Sequence, residues 1–255
     1  MSKRTIEVHV LHLSREKLAA APEGERSLFF LLGHVQNDIM LLNRLFYATA
    51  HTDHPSNDKL SRRFGTAQAL LLGKLITSKL HGGWEVLQKL YFKNSTSKEY
   101  EDILPSEGKE ALSFLKKYFG KQNIISNVRN DFGFHYPVNK ISAALTELSE
   151  SEELVLYLAK NGPNSLYYAC DLIPNHEMVR SIGGHDLQKS YDRLISETAE
   201  CAAHFNVFVQ NYMIAFIEKN DILAKQPDGN DAIIYENPTR LKSFKMPAIF
   251  DARGM

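Results

Sequence analysis

Cysteine is almost missing from this chain: Cys170 and Cys201 are the only two in 255 residues. A disulfide framework is thereby excluded, and a reducing compartment is the expectation. Net charge is missing too, with 30 basic residues set against 30 acidic ones. A chain that coats nucleic acid over its whole surface is usually basic, so that class is disfavoured. Long apolar runs are absent. The most apolar early stretch, from Leu28 to Val35, is broken by Gly33 and His34 and falls far short of the ~20 residues that span a bilayer. The segment Met1 to Glu7 turns acidic before any apolar run, which predicts no signal peptide, no membrane association and a cytosolic location.

Several catalytic signatures are missing as well. There is no Gly-x-x-x-x-Gly-Lys-Ser/Thr loop, no Gly-x-Gly-x-x-Gly and no Gly-x-Ser-x-Gly elbow, so the corresponding nucleotide-binding and hydrolase classes lack support. None of the ten histidines follows a Glu by three residues, which excludes a di-iron bundle. Cys170 and Cys201 both sit in apolar patterns and read as core residues rather than nucleophiles.

What is present is helical periodicity. Leu28, Leu32, Val35, Ile39, Leu42 and Phe46 recur at steps of three and four, giving one apolar stripe over residues 25–50. Leu60, Phe64, Ala67, Leu71 and Leu75 repeat the pattern, and Gly82-Gly83 is expected to end or kink that helix. Residues 93–105 read as a polar connection. Ser106 reads as an N-cap and Gly120 as a stop, and Asn123 as the cap of the next helix, which Pro137 must terminate. The period then changes: residues 153–159 and 165–170 flank Asn161-Gly162-Pro163-Asn164 and predict a β-hairpin. A last stripe runs from Leu187 through Tyr191, Leu194, Thr198, Ala202 and Phe205 to Phe216. A helix of that length, about residues 186–219, is expected to pack along several others or along a second subunit.

The fold expected is therefore mainly α: one domain over 1–255, with a bundle core at 25–150, a small inserted β-hairpin at 151–175, the long helix at 186–219 and a surface tail at 220–255. Charge divides along it. Residues 1–140 carry 20 basic and 14 acidic side chains, and residues 141–255 carry 10 and 16, so a polyanion such as RNA should prefer the first half.

The segment Arg129-Asn130-Asp131-Phe132-Gly133-Phe134-His135 carries the most chemistry. Arg offers a bidentate fork for phosphoryl oxygens, and His titrates where a general acid or base must. On an ideal helix six positions set Arg129 and His135 about 120° apart, so they converge only through the reach of Arg, a bend at Gly133 or a second subunit. Asp131 and His135 share a face more naturally, and their pairing is the bland reading of the same residues. The segment resembles the HEPN superfamily, helical bundles whose catalytic members carry Arg, four to six residues, then His, often with Asn directly after the Arg. Arg129-Asn130 and His135 match that pattern. The resemblance implies metal-independent RNA cleavage in a homodimer, without a cofactor, in a toxin or defence setting. It gives Arg129 the phosphate charge, His135 the proton and Asn130 an orienting role.

His34, Asn37 and Asp38 share one face of the first long helix and are candidate supporting residues, with a buried packing network as their bland reading. Asp131 is a fourth. Two other readings are open. A non-catalytic module would use the 186–219 helix to dimerise or to hold a protein partner. A metal-dependent phosphohydrolase would draw ligands from His51, Asp53 and His54, although a solvated loop explains those residues and no metal site is expected.

Overall fold

A computed structural model describes residues 4–50, 58–93, 95–133, 138–160, 164–184, 186–224, 232–240, 243–244 and 246–247. The chain is mainly α, as predicted, with one small antiparallel ribbon. Helix α1 (Arg15–Ala20) starts at Ser14, whose Oγ accepts from the Lys17 amide at 3.3 Å. Helices α2 (Glu23–Ala50) and α3 (Lys59–Val86) pack along each other. Asp38 pairing with Lys79, and Val35 lying against Gly83, make the two antiparallel. Asp58 caps α3 by accepting from the Leu60 and Ser61 amides.

Gly82-Gly83 does not end α3. The helix continues to Val86 and passes into a π turn, Leu87–Tyr91. Gly83 is there because Phe205 leaves no room: a Cβ would lie 2.5 Å from the Phe205 ring. The stretch predicted as a polar connection contains α4 (Thr96–Ile103), held by the fully buried Tyr100. In α5 (Ser106–Phe119) Pro105, not Ser106, takes the cap position, without a side-chain bond. Gly120 closes α5, and Asn123 caps α6 (Ile124–Val128), its Oδ1 accepting from the Ser126 amide at 2.8 Å. Helix α6 opens directly into a second π turn, Arg129–Gly133. Helices α7 (Val138–Glu147), α8 (Tyr168–Gly183) and α9 (Leu187–Lys219) follow.

Helix α9 is the axis of the bundle. It packs against α2, α3, α4, α5, α6 and α8, and Leu194, Cys201, Phe205, Phe208, Tyr212 and Phe216 are buried along it. Each buried Leu or Phe among them stabilises by about 1.5–3 kcal/mol. The apolar stripe that made this helix a candidate dimer or partner surface is thus spent inside the chain. A polar knot ties its far end to α2 and α4. Glu25, only 5% exposed, accepts from Tyr100 at 2.5 Å and from Lys219 Nζ at 3.0 and 3.1 Å, and Lys219 also reaches Glu99.

The ribbon pairs β1 (Thr5–His9) with β2 (Ala232–Glu236), Glu7 opposite Ile234. The segment predicted as a hairpin contributes a single antiparallel bridge, Tyr157 to Leu166, and residues 168–170 belong to α8. Beyond that bridge the segment rests on α3: Arg63 donates to the Tyr157 hydroxyl and to Glu153, and lies 4.1 Å over the Tyr168 ring. No helix among the described residues is long and apolar enough to cross a membrane.

Candidate active site

Lys74, Ser78, His81 and Glu85 recur at steps of four, three and four, so they line one face of α3. That face receives α6 and the second π turn. Ser78 and Thr77 return their hydroxyls to the Lys74 carbonyl at 2.8 and 2.9 Å and need no partner elsewhere. The π turn lies so close on this face that a Cβ at Gly133 would sit 2.6 Å from Ser78 Oγ. Phe132 anchors the turn in a small core with Ile124, Val128, Met178, Val179 and Leu194. A π turn, with hydrogen bonds spanning five residues instead of four, is a frequent mark of functional positions inside helices.

The turn begins at Arg129. Its guanidinium, 36% exposed, donates from Nη1 to Asn130 Oδ1 at 2.8 Å and places Nη2 3.6 Å from Glu85 Oε1. The same Glu85 oxygen lies 3.5 Å from His81 Nδ1, and Lys89 Nζ stands 4.0 Å from Oε2. One carboxylate therefore holds two cations and an imidazole. His81 is mostly covered, edge-on to Phe119, which stacks on Trp84 at 5.0 Å. Its Nδ1 is buried and stops short of a formed hydrogen bond. Burial holds the His81 imidazole below its ordinary titration range; Glu85 works against that shift and Arg129 adds to it. A neutral imidazole beside Arg129 and Lys89 can take a proton while the two cations carry phosphate charge.

Sequence reasoning found two members of this cluster and missed three. Arg129 and Asn130 are in it; His81, Glu85 and Lys89 were not singled out. Their signal was present, since four-residue steps set all three on one helical face, but the expected break at Gly82-Gly83 separated His81 from the others. His135, with His51, Asp53 and His54, lies outside the described residues. Asp131 gives its carboxylate to Lys140 at 3.0 Å.

His34, Asn37 and Asp38 do not join the site. They lie at the surface of α2, with the His34 side chain 71% exposed, so they form no buried network either. Asp38 pairs with Lys79 at 2.7 Å, and that hydrogen bond, helped by the Lys79 and His34 charges, holds its carboxyl below the usual range against desolvation. Lys79 stands roughly 160° and 120° around α3 from His81 and Glu85, which points the whole group away from Arg129. Cys201 is buried as expected, but Cys170 is exposed. Among the described residues no three His, Cys, Asp or Glu side chains gather as a metal site.

No family model, curated protein or solved structure matches the chain. The functional reading rests on this geometry and on the Arg129–His135 pattern.

Proposed function

We propose that this protein is a metal-independent ribonuclease on a HEPN-like helical bundle, with the second π turn as its catalytic edge. One observation carries the reading: Arg129 opens that turn at the surface and shares the Glu85 carboxylate with Lys89 and a mostly covered His81. Arg129 binds the phosphoryl oxygens of the scissile bond, displacing Glu85, and Lys89 adds a second charge. Asn130 holds the guanidinium in plane. His135, or His81 in its stead, removes the 2′-hydroxyl proton. The 2′-oxygen attacks phosphorus as the bond to the 5′-oxygen breaks, the protonated histidine returns its proton to that leaving oxygen, and the products are a 2′,3′-cyclic phosphate and a 5′-hydroxyl. A homodimer and a toxin or defence setting are what the family pattern adds to this proposal.

The test is cleavage of end-labelled single-stranded RNA with a chelator present. The expected result is cyclic-phosphate ends from the wild type, with Arg129→Ala and His135→Ala each inactive and His81→Asn impaired. Full activity in both Arg129→Ala and His135→Ala overturns the reading.

A second reading, a non-catalytic module, draws support from a different surface than the long helix. Phe30 and Leu41 on α2 are 53% and 57% exposed, with Leu71 of α3 also exposed at 54%. Phe30 and Leu41 fall on one face of α2, about 16 Å apart with His34 and Asn37 between them, and apolar surface spread along one face is what a partner covers. The occupant proposed is a second copy of this chain. Light scattering that gives a dimer for the wild type and a monomer for Phe30→Ser/Leu41→Ser supports it; a wild-type monomer at high concentration removes it.

A further inference from the structure

A cleft of about 440 Å³ opens between α3, α8 and the start of α9, away from the Arg129 turn. That size falls within the usual range for small-molecule sites. Leu70, Leu148, Leu172 and Val179 supply apolar wall, and Tyr168 and Tyr191 supply two aromatic rings. The charged groups of the lining are both acidic: Asp171 and Glu152. Glu152 is exposed and makes no ion pair among the described residues. Thr66, Asn175, His176 and Gln188 supply neutral polar lining, and His176 Nδ1 is buried without a hydrogen-bond partner.

Two cations stand behind the wall and do not line it. Lys74 Nζ donates to Asn175 Oδ1 at 3.2 Å, and Arg63 covers the Tyr168 ring from 4.1 Å. Lys74 feels Asp171 but makes no direct ion pair with it. Desolvation therefore dominates both groups: the Asp171 carboxyl is raised above the usual carboxylate range, and the Lys74 ammonium is lowered below its own. A half-buried carboxylate that has Asn175 beside it but no direct counter-ion gains most from a cation that arrives on a ligand.

We propose that this cleft binds a small amphipathic organic cation, a primary ammonium on an aromatic or branched apolar body. The ammonium donates to the Asp171 carboxylate. The apolar body lies between Tyr168, Tyr191 and the leucines, where aromatic faces also favour a cation. Glu152 at the rim attracts the charge from solvent. A carboxylate or phosphate ligand meets the like charges of Asp171 and Glu152. This site is independent of the ribonuclease reading, so neither failure touches the other.

The probe is 2-phenylethylamine, followed by titration calorimetry at neutral pH against two analogues of similar shape, 3-phenylpropionate and 2-phenylethanol. Saturable binding of the amine alone is the expected result. Asp171→Asn should weaken it about tenfold or more, as loss of a charge-assisted hydrogen bond implies, with circular dichroism unchanged. Leu187→Trp, at a lining position 38% exposed, should fill the mouth and abolish binding without removing any charge. Equal binding of the acid or the alcohol overturns the proposal. So does undiminished binding by Asp171→Asn, or no saturable binding of the amine by the wild type.

Discussion

Two adjacent glycines should respond to alanine with opposite signs. At Gly82 a new Cβ meets nothing within 4 Å, so the substitution only removes a poor helix former from the interior of α3. That stabilises by about 0.8–1 kcal/mol. At Gly83 the same Cβ lies 2.5 Å from Phe205 Cζ, 2.7 Å from Cε2 and 3.2 Å from Val35 Cγ1. Phe205 is 1% exposed and has nowhere to retreat. Overpacking of this kind costs about 2–3 kcal/mol in its upper range, and the helix-propensity gain of about 1 kcal/mol returns part of it, leaving a net loss of about 1–2 kcal/mol. In a chain of this size 1 kcal/mol moves the melting temperature by about 2–4 °C. Gly82→Ala should therefore melt about 2–4 °C higher than wild type and Gly83→Ala about 2–8 °C lower. Thermal melts followed by circular dichroism, with urea midpoints at 25 °C, read both. Destabilisation of similar size by the two would mean that the chain breaks at the pair, and His81 and Glu85 would then not share a face.

Other expectations follow from the polar contacts. Glu25→Ala should cost about 3 kcal/mol, because it strands the buried Tyr100 hydroxyl and one side of Lys219, while Glu25→Gln should cost less, since its amide oxygen still accepts from Tyr100; equal urea midpoints for wild type and Glu25→Ala would refute the knot. Glu85→Gln should change stability by less than about 1 kcal/mol, as half-exposed pairs do, yet tighten binding of labelled RNA at low salt by freeing Arg129, and anisotropy showing unchanged affinity would end that idea. His81 gives a pH signature. Its folded-state pKa is lowered, so the unfolded chain takes up a proton near its ordinary value of about 6.5 before the folded chain does. The folded state thus loses stability as pH falls below that value and keeps it above. His81→Gln should lose less between pH 7.5 and 5.5 than wild type, and matching declines in urea midpoint would contradict the sheltered imidazole.

The helices that were legible are those whose apolar residues face a single core. Stripes from Leu28 to Phe46 and from Leu187 to Phe216 name α2 and α9 directly, and Gly120 and Asn123 mark real boundaries. Helix α4 was hidden because its polar sequence rests on one buried tyrosine. Helix α8 was hidden by Pro174, which removes one amide from the helix interior without stopping it. Alternation at 153–159 was real: the segment pairs with 165–169 through one antiparallel bridge, Tyr157 to Leu166, too short to make two full strands, while Tyr157 also meets Arg63 of α3. The candidate site was half legible. Arg129 stands out by its neighbours, whereas the π turn that presents it depends on Gly133 meeting Ser78, a tertiary contact without local trace.

The β1–β2 ribbon has a kinetic consequence. Its strands come from nearly opposite ends of the described chain, and every residue in both is exposed. Almost no apolar burial holds it, so it persists because the bundle delivers its two halves to one place. The Leu13–Leu223 bridge and the Ser14 amide to Ile222 carbonyl bond, at 2.8 Å, are the hinge pins of that delivery. Such an element cannot nucleate folding, because closing so long a loop gains too little. It should zip up last and open first, exchanging its amide protons with solvent far faster than α9 while the bundle stays intact.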